Sequence, residues 1–226
     1  PYAALTQGMN GEEITEMGLL SEAGALGFTD GEKTISNALV MLRALSYSNA
    51  FNALIIQHPE ELALSNEGVM NQSEISTRLG LSGIPNQAES IIINRDLQLL
   101  ELTGGRYHVS HISTSQSVRE IRQAKKNGLN VTCDTAPQYF SLNDLAIEEY
   151  RTFARLSPPL RSEKDRLAII EGIQDGTIDV IASDHSPHDE DSKRLPFAQA
   201  ANGAVGLETL LPISLELYHN KQLSLL

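Results

Sequence analysis

Tryptophan is absent from the 226-residue chain, and cysteine occurs only once, as Cys133. A single cysteine cannot form an internal disulfide bond, so the chain is not a small domain stapled by disulfides. Basic residues are also scarce: 17 Lys and Arg stand against 29 Asp and Glu, which gives a formal net charge of -12. Without a basic block to meet phosphates, the sequence argues against nucleic acid and anionic membrane surfaces as partners.

Long apolar runs are missing as well, since the apolar stretches are far shorter than the ~20 residues that a membrane helix needs. The first residues, PYAAL, show neither an initiator Met nor the basic-then-apolar pattern of a signal peptide, so we expect an interior cut and a fragment. A cytoplasmic location is the default expectation. The length and the 41% of hydrophobic residues suit one sizeable α/β domain over residues 1–226.

Short β-rich apolar runs alternate along the chain with longer segments of helical period. The predicted strands are residues 25–28, 53–57, 106–110, 129–134 and 177–183. The predicted helices are residues 11–23, 34–51, 73–79, 86–102, 115–127, 162–174 and 207–218. This alternation is typical of βα units that build a parallel sheet. In a (β/α)8 barrel the carboxyl ends of the strands converge on one face, so residues just after strands are positioned for chemistry.

Polar side chains directly follow three different predicted strands: His58, His111 and Asp184. Whole βα units separate them, so a barrel would bring them together at its mouth. Two imidazoles and a carboxylate suit Zn²⁺. Beside a metal-bound water, Asp184 can also accept a proton and return it to a leaving amide nitrogen. The alternative is that each histidine caps a strand or satisfies a core hydrogen bond, and that Asp184 caps a turn.

Four motifs follow one another in a set order. They are residues 107–114 (YHVSHIST), 156–161 (LSPPLR), 182–188 (ASDHSPH) and 203–209 (GAVGLET). The ordered set resembles the successive signatures of class I dihydroorotases, which are cyclic amidohydrolases, and the similarity extends over essentially the whole chain. It implies a metal-dependent (β/α)8 TIM barrel, incomplete because the first strands and a small flanking β-domain are missing. It also implies zinc-dependent, reversible closure of N-carbamoyl-L-aspartate to L-dihydroorotate in pyrimidine biosynthesis.

The resemblance assigns three residues to the metal site and leaves a fourth position open. His58 and His111 match metal-binding histidines, and Asp184 matches a carboxylate that is both metal ligand and general acid/base. Class I dihydroorotases commonly read Phe-Ser/Thr-Asp-Asp-Gly after the fourth strand, where the second Asp bridges two metals. Here residues 28–31 read FTDG, so a glycine takes the bridging place. Asp30 is the candidate substitute, with a turn residue as the alternative, and one or two Zn²⁺ are expected in a full-length subunit.

Substrate contacts are implied at four positions: Ser157, His188, Asn202 and Gly203. The backbone of Asn202 and Gly203 matches a loop that contacts the pyrimidine ring. Ser157 stands where the family usually has Asn, and one hydrogen bond lost to a substrate costs ~1 to 3 kcal/mol if its partner stays buried. The run DEDSK at residues 189–193 is either a solvated loop or a lid over the site.

The family's His-x-His motif of the first barrel strand is not present in this chain. The Arg and Asn that hold the substrate carboxylate are also expected upstream of Pro1. With half a zinc site, we expect the chain alone to bind metal weakly and to turn over no substrate. Homodimerisation is the expected assembly.

Two other functions stay open. A hydantoinase or allantoinase carries a carboxylated Lys after the fourth strand, and Lys33 lies several residues too late for that role. A catalytically inactive homologue would serve as a structural subunit of aspartate transcarbamoylase. Gly31 and Ser157 favour that alternative, whereas the retained ligands and His188 favour an enzyme.

Overall fold

Residues 1–224 are described by the computed structural model, and within them lie seven short strands and ten α-helices. The strands are β1 (Gly27–Phe28), β2 (Leu54–Gln57), β3 (Met70–Asn71), β4 (Gly83–Ile84), β5 (Arg106–Val109), β6 (Val131–Thr135) and β7 (Val180–Ile181). The helices are α1 (Met17–Glu22), α2 (Ala38–Ser48), α3 (Leu62–Ser65), α4 (Glu74–Leu79), α5 (Gln87–Thr103), α6 (Ser115–Lys126), α7 (Pro137–Ser141), α8 (Glu163–Gln174), α9 (Glu190–Lys193) and α10 (Leu207–His219).

Five strands form a parallel sheet in the order β1-β2-β5-β6-β7. The order across the sheet follows the order along the chain, so every crossover steps in the same direction. This is the winding of a (β/α)8 barrel, whereas a doubly wound sheet reverses direction at its switch point. A parallel bridge between Ala3 and Phe28 adds one further strand position beside β1. The predicted parallel α/β architecture is therefore confirmed.

The two faces of the sheet differ in character because side chains alternate along each strand. Ile55, Tyr107 and Val131 pair in register and are buried in the main apolar core. The opposite face carries His108 and Thr132, also in register. Helices α2, α5, α6 and α8 bury apolar side chains in the same main core, and α6 contributes Val118, Ile121 and Ala124.

The segment between β2 and β5 holds a separate pair of parallel strands, β3 and β4, with Met70 opposite Gly83. Met70 belongs to a second apolar cluster, together with Tyr139, Leu156 and Phe197. These partners come from the loops that follow β6 and β7. The second cluster therefore supports the loops at the carboxyl ends of the strands.

Some elements are shorter than predicted. Residues 11–16 are not helical, because the backbone of Thr6 and Gln7 pairs with residues 13 and 14 in an antiparallel turn. The predicted strand 177–183 is reduced to β7, since the N–H of Ile178 bonds to Gly172 in the last turn of α8. In the described part of the chain, no helix is long and apolar enough to cross a membrane.

Candidate active site

His58, His111 and Asp184 follow β2, β5 and β7, and they lie near one another at the carboxyl edge of the sheet. The ring centroids of the two histidines are 6.1 Å apart. Nε2 of His111 lies 3.8 Å from Oδ1 of Asp184. Among residues 1–224, no group of three or more His, Cys, Asp and Glu side chains is arranged so that it could hold a metal ion. The residues are thus neighbours, with donor atoms that suit zinc, but they do not form a closed ligand set.

His58 carries a buried ring nitrogen, Nδ1. Its Nδ1 has no hydrogen-bond partner among the residues that the structure describes. The main chain is fixed by Thr34, whose hydroxyl donates to the His58 carbonyl at 2.6 Å. Burial and the nearby His111 lower the pKa of His58 to about 4, so the ring is neutral at pH 7. A buried, neutral and unpartnered imidazole nitrogen is costly in apolar surroundings, and a bound cation would satisfy it.

His111 is oriented from behind by Asp134. The backbone N–H of His111 donates to Oδ1 of Asp134 at 2.8 Å. Nδ1 of the ring lies 3.0 Å from the same oxygen, in an ion-pair contact rather than an aligned hydrogen bond. Burial lowers the pKa of His111, but the carboxylates of Asp134 and Asp184 raise it more, and the net shift is upward. With Nδ1 held by Asp134, Nε2 is the ring nitrogen that faces Asp184.

Asp134 and His108 complete this arrangement, although the sequence reasoning assigned neither of them a role. Nε2 of His108 lies 2.9 Å from Oδ2 of Asp134, and Nδ1 of His108 lies 2.7 Å from Oγ1 of Thr132. Burial alone would raise the pKa of Asp134, but the contacts with His108 and His111 hold it well below its ordinary range. The available signal was positional, because Asp134 ends a predicted strand just as His58 follows one.

Asp184 has one oxygen held and one directed at His111. Oδ2 accepts a hydrogen bond from Nε2 of Gln138 at 2.5 Å and lies 3.3 Å from the Tyr139 hydroxyl. Burial raises the pKa of Asp184, and the net shift is upward although His111 and Tyr139 oppose it. A carboxyl group with a raised pKa takes up and returns a proton near neutral pH more readily than an ordinary one.

Asp30 is engaged elsewhere. Its Oδ1 accepts from the backbone N–H groups of Leu5 and Thr6, each at 2.9 Å, and its Oδ2 accepts from the Thr6 hydroxyl. These bonds tie the carboxylate to the first residues of the chain, so we leave Asp30 out of the proposed ligand set. Lys33 is exposed and donates to the Met9 carbonyl at 3.2 Å.

Asn202 and Gly203 lie in a segment that runs beside the one carrying Asp184. The N–H of Ser186 donates to the carbonyl of Ala204 at 2.9 Å. A Cβ atom on Gly203 would lie 2.6 Å from the Ser186 carbonyl oxygen, so only glycine fits this approach. His188 follows two residues after Ser186, and its side chain is exposed.

Ser157 is half-buried and precedes a cis peptide bond to Pro158. The carbonyl of Pro158 accepts from the Tyr139 hydroxyl at 3.0 Å, and this hydroxyl is the one that also contacts Asp184. Ser157 is therefore one residue from a group that borders the site.

Comparison with solved structures identifies the class of protein. L-hydantoinase from Arthrobacter aurescens superposes with a TM-score of 0.79 and 26% sequence identity, covering 99% of this chain and 51% of that one. A D-hydantoinase superposes with a TM-score of 0.76 and 22% identity, again covering 99% and 51%. The fold is therefore the TIM barrel of the amidohydrolases, present in part.

Sequence comparison identifies the family. A family model described as Dihydro-orotase-like matches residues 1–117. A dihydroorotase of Desulforapulum autotrophicum is 47% identical over 225 residues, and one of Geotalea daltonii is 50% identical over 225 residues, each covering 100% of this chain and 53% of the relative. The chain belongs to the dihydroorotase-like family. It spans about half the length of the curated relatives that it matches.

Proposed function

We propose that this chain is part of a dihydroorotase, which interconverts N-carbamoyl-L-aspartate and L-dihydroorotate with zinc. Identity of about one half to curated dihydroorotases over the whole chain supports the proposal. The observation that carries it is the facing pair of His111 Nε2 and Asp184 Oδ1, 3.8 Å apart, beside the unpartnered Nδ1 of His58. One ring nitrogen of each histidine and a carboxylate are the donors that a catalytic zinc site uses.

His58 would hold zinc through Nδ1, and His111 would hold it through Nε2, with Asp184 as a further ligand. Zinc, when bound, polarises the amide carbonyl and lowers the pKa of a water molecule so that a nucleophile forms at neutral pH. In ring opening, Asp184 accepts a proton from the attacking water and returns it to the amide nitrogen as the C–N bond breaks. Ring closure reverses these transfers. Gln138 fixes the carboxylate through its bond to Oδ2, so that Oδ1 faces His111, where zinc would be held.

The substrate contacts are proposed at Ser157, His188, Asn202 and Gly203. We further propose a cytoplasmic homodimer that acts on this small molecule, binding neither nucleic acid nor membrane. A hydantoinase is less well supported, because Lys33 lies several residues too late for the carboxylated Lys and its side chain is exposed. Association with aspartate transcarbamoylase belongs to the alternative of an inactive subunit, and the retained histidines and Asp184 speak against inactivity.

The test uses the complete protein with Zn²⁺ and follows hydrolysis of L-dihydroorotate, with hydantoin as a parallel substrate. We expect turnover of dihydroorotate, and a loss of roughly 10²- to 10⁴-fold in kcat for Asp184→Asn. Asp191→Asn, an exposed position with the same change of charge, is the control and should match the parent. Faster turnover of hydantoin would favour the hydantoinase, and no turnover with stable binding of the transcarbamoylase would favour the inactive subunit.

A further inference from the structure

Lys193, at the end of α9, is a buried cation held by backbone carbonyls. The residue is only 4% exposed. Its Nζ donates to the carbonyl oxygens of Ala201 at 2.8 Å, Thr152 at 3.3 Å and Arg155 at 3.4 Å. No carboxylate pairs with it in the described part of the chain. A desolvated ammonium group persists only where several acceptors surround it, so the three carbonyls are fixed relative to one another.

Arg155 also links the segment around Thr152 to the segment that contains Ala201. Its Nε donates to Oδ1 of Asn202 at 2.9 Å, and its Nη1 donates to the Phe197 carbonyl at 2.8 Å. Its carbonyl accepts both the ammonium group of Lys193 and the N–H of Gly203, the latter at 3.0 Å. We call Lys193 and Arg155 the loop clamp, since they bind the segment before Ser157 to the segment 201–203.

The loop clamp acts close to the proposed chemistry. Gly203 is pressed against Ser186, and Gly206 is pressed against Ser183, where an added Cβ would lie 2.0 Å from the carbonyl oxygen. The segment 203–206 thus runs along the residues on either side of Asp184. Whatever fixes residues 201–203 also fixes the distance between this segment and Asp184. The clamp also anchors the far end of residues 189–193, which opposes the free movement of a lid at that point.

We infer that Lys193 is a positioning residue, which through Ala201 and with Arg155 holds Asn202 and Gly203 in register beside Asp184 for substrate binding. The inference rests on the proposed dihydroorotase function for the identity of the substrate. The clamp makes no contact of its own with the reacting atoms, so it acts on binding more than on the chemical step. Because Arg155 engages the Asn202 amide oxygen and its carbonyl accepts the Gly203 N–H, the side-chain amide nitrogen and the backbone of Asn202 are the groups that we assign to a ligand.

The test compares Lys193→Met with Lys164→Met in the complete zinc-loaded protein, since Lys164 is exposed on α8 and loses the same charge. Hydrogen exchange of the peptide holding residues 200–204 should be at least ~10-fold faster in Lys193→Met. The Gly203 N–H donates to the Arg155 carbonyl, and without the ammonium group neither this carbonyl nor that of Ala201 is held in place. The KM for dihydroorotate should rise ~10-fold while kcat changes less than ~2-fold, the pattern of lost uniform binding. Zinc content should equal that of the parent.

Unchanged exchange in Lys193→Met, or a fall in kcat with KM constant, would overturn the inference. If Lys193→Met does not fold, Arg155→Gln decides by the same exchange and KM measurements, and equality with the parent overturns the inference. Absence of dihydroorotate turnover in the parent would refute the proposed function instead. In that case the hydrogen-exchange rate of residues 200–204, compared between Lys193→Met and the parent, still tests the loop clamp.

Discussion

Replacement of Asp134 by Asn tests whether a carboxylate behind His111 prepares its Nε2 for zinc. Asp134 accepts from the His111 backbone N–H at 2.8 Å, lies 3.0 Å from Nδ1 of the same residue and 2.9 Å from Nε2 of His108. Asparagine keeps the size and one acceptor oxygen, but it removes the charge and presents an NH₂ group where the other oxygen was. One of the two histidines therefore loses its acceptor.

The magnitude follows from these contacts. A hydrogen bond to a charged group contributes about 1.5 to 3 kcal/mol, and groups that orient a metal-bound histidine change metal affinity by roughly 10- to 100-fold. We therefore expect Asp134→Asn to weaken zinc binding roughly 10- to 100-fold, which is about 1.4 to 2.7 kcal/mol. The pKa of Asp134 is held well below its ordinary range, so the carboxylate is ionised at every pH near neutrality. The loss should accordingly be the same from pH 6 to pH 8 once direct titration of the histidine ligands is allowed for.

The assay is competition for Zn²⁺ between a chelator and the metal-free complete protein at pH 7. Asp191→Asn is the control for the change in net charge, because Asp191 is exposed. A zinc affinity of Asp134→Asn within ~2-fold of that of Asp191→Asn would refute the reasoning, since a carboxylate that orients a metal-binding histidine should change the affinity by more than this.

Three further predictions concern stability. The pKa of His58 is lowered from 6.5 to about 4 in the folded chain. Between these pH values His58 binds a proton in the unfolded metal-free chain but not in the folded one. The free energy of unfolding should therefore fall by roughly 3 kcal/mol as the pH drops from 6.5 to 4. The free energy of unfolding, measured by urea unfolding at several pH values, should depend less on pH in His58→Gln than in the parent. An equal pH dependence would contradict the buried neutral imidazole. Asp30→Asn should lower the free energy of unfolding by roughly 2 to 4 kcal/mol, because the bonds of Asp30 to Leu5 and Thr6 are weakened. The number of zinc ions bound should not change. A lower number would return Asp30 to the proposed ligand set. Gly206→Ala should cost roughly 2 to 3 kcal/mol, because its Cβ would lie 2.0 Å from the Ser183 carbonyl oxygen, and an unchanged melting temperature would count against this packing.

The positions of His58, His111 and Asp184 could be predicted because the information is local. A short apolar run marks each strand, and in a parallel sheet the residues after such runs meet at one edge. The shortening of 177–183 to β7 could not be read in the same way. The N–H of Ile178 bonds to the end of α8, and an apolar run does not indicate which hydrogen-bond partner its first residues will have.

The roles of Lys193 and Asp30 could not be predicted, because their hydrogen-bond partners lie far away in the chain. Lys193 reaches carbonyls of Thr152 and Arg155, 41 and 38 residues away, from a run that reads as a solvated acidic loop. Asp30 is bound by residues 24 and 25 positions earlier. A side chain of either type is compatible with several roles until the fold supplies its neighbours, so composition and spacing cannot decide among them.

His111 and Asp184 share a left-handed backbone, with φ values of 55° and 45°. This conformation is easy for glycine and costs other residues about 1 to 2 kcal/mol, less for histidine and aspartate. Glycine at either position would therefore relax the main chain while deleting a donor atom. The left-handed turn after each strand thus favours glycine and a few polar side chains at these two positions, and of these histidine and aspartate also supply metal-binding groups.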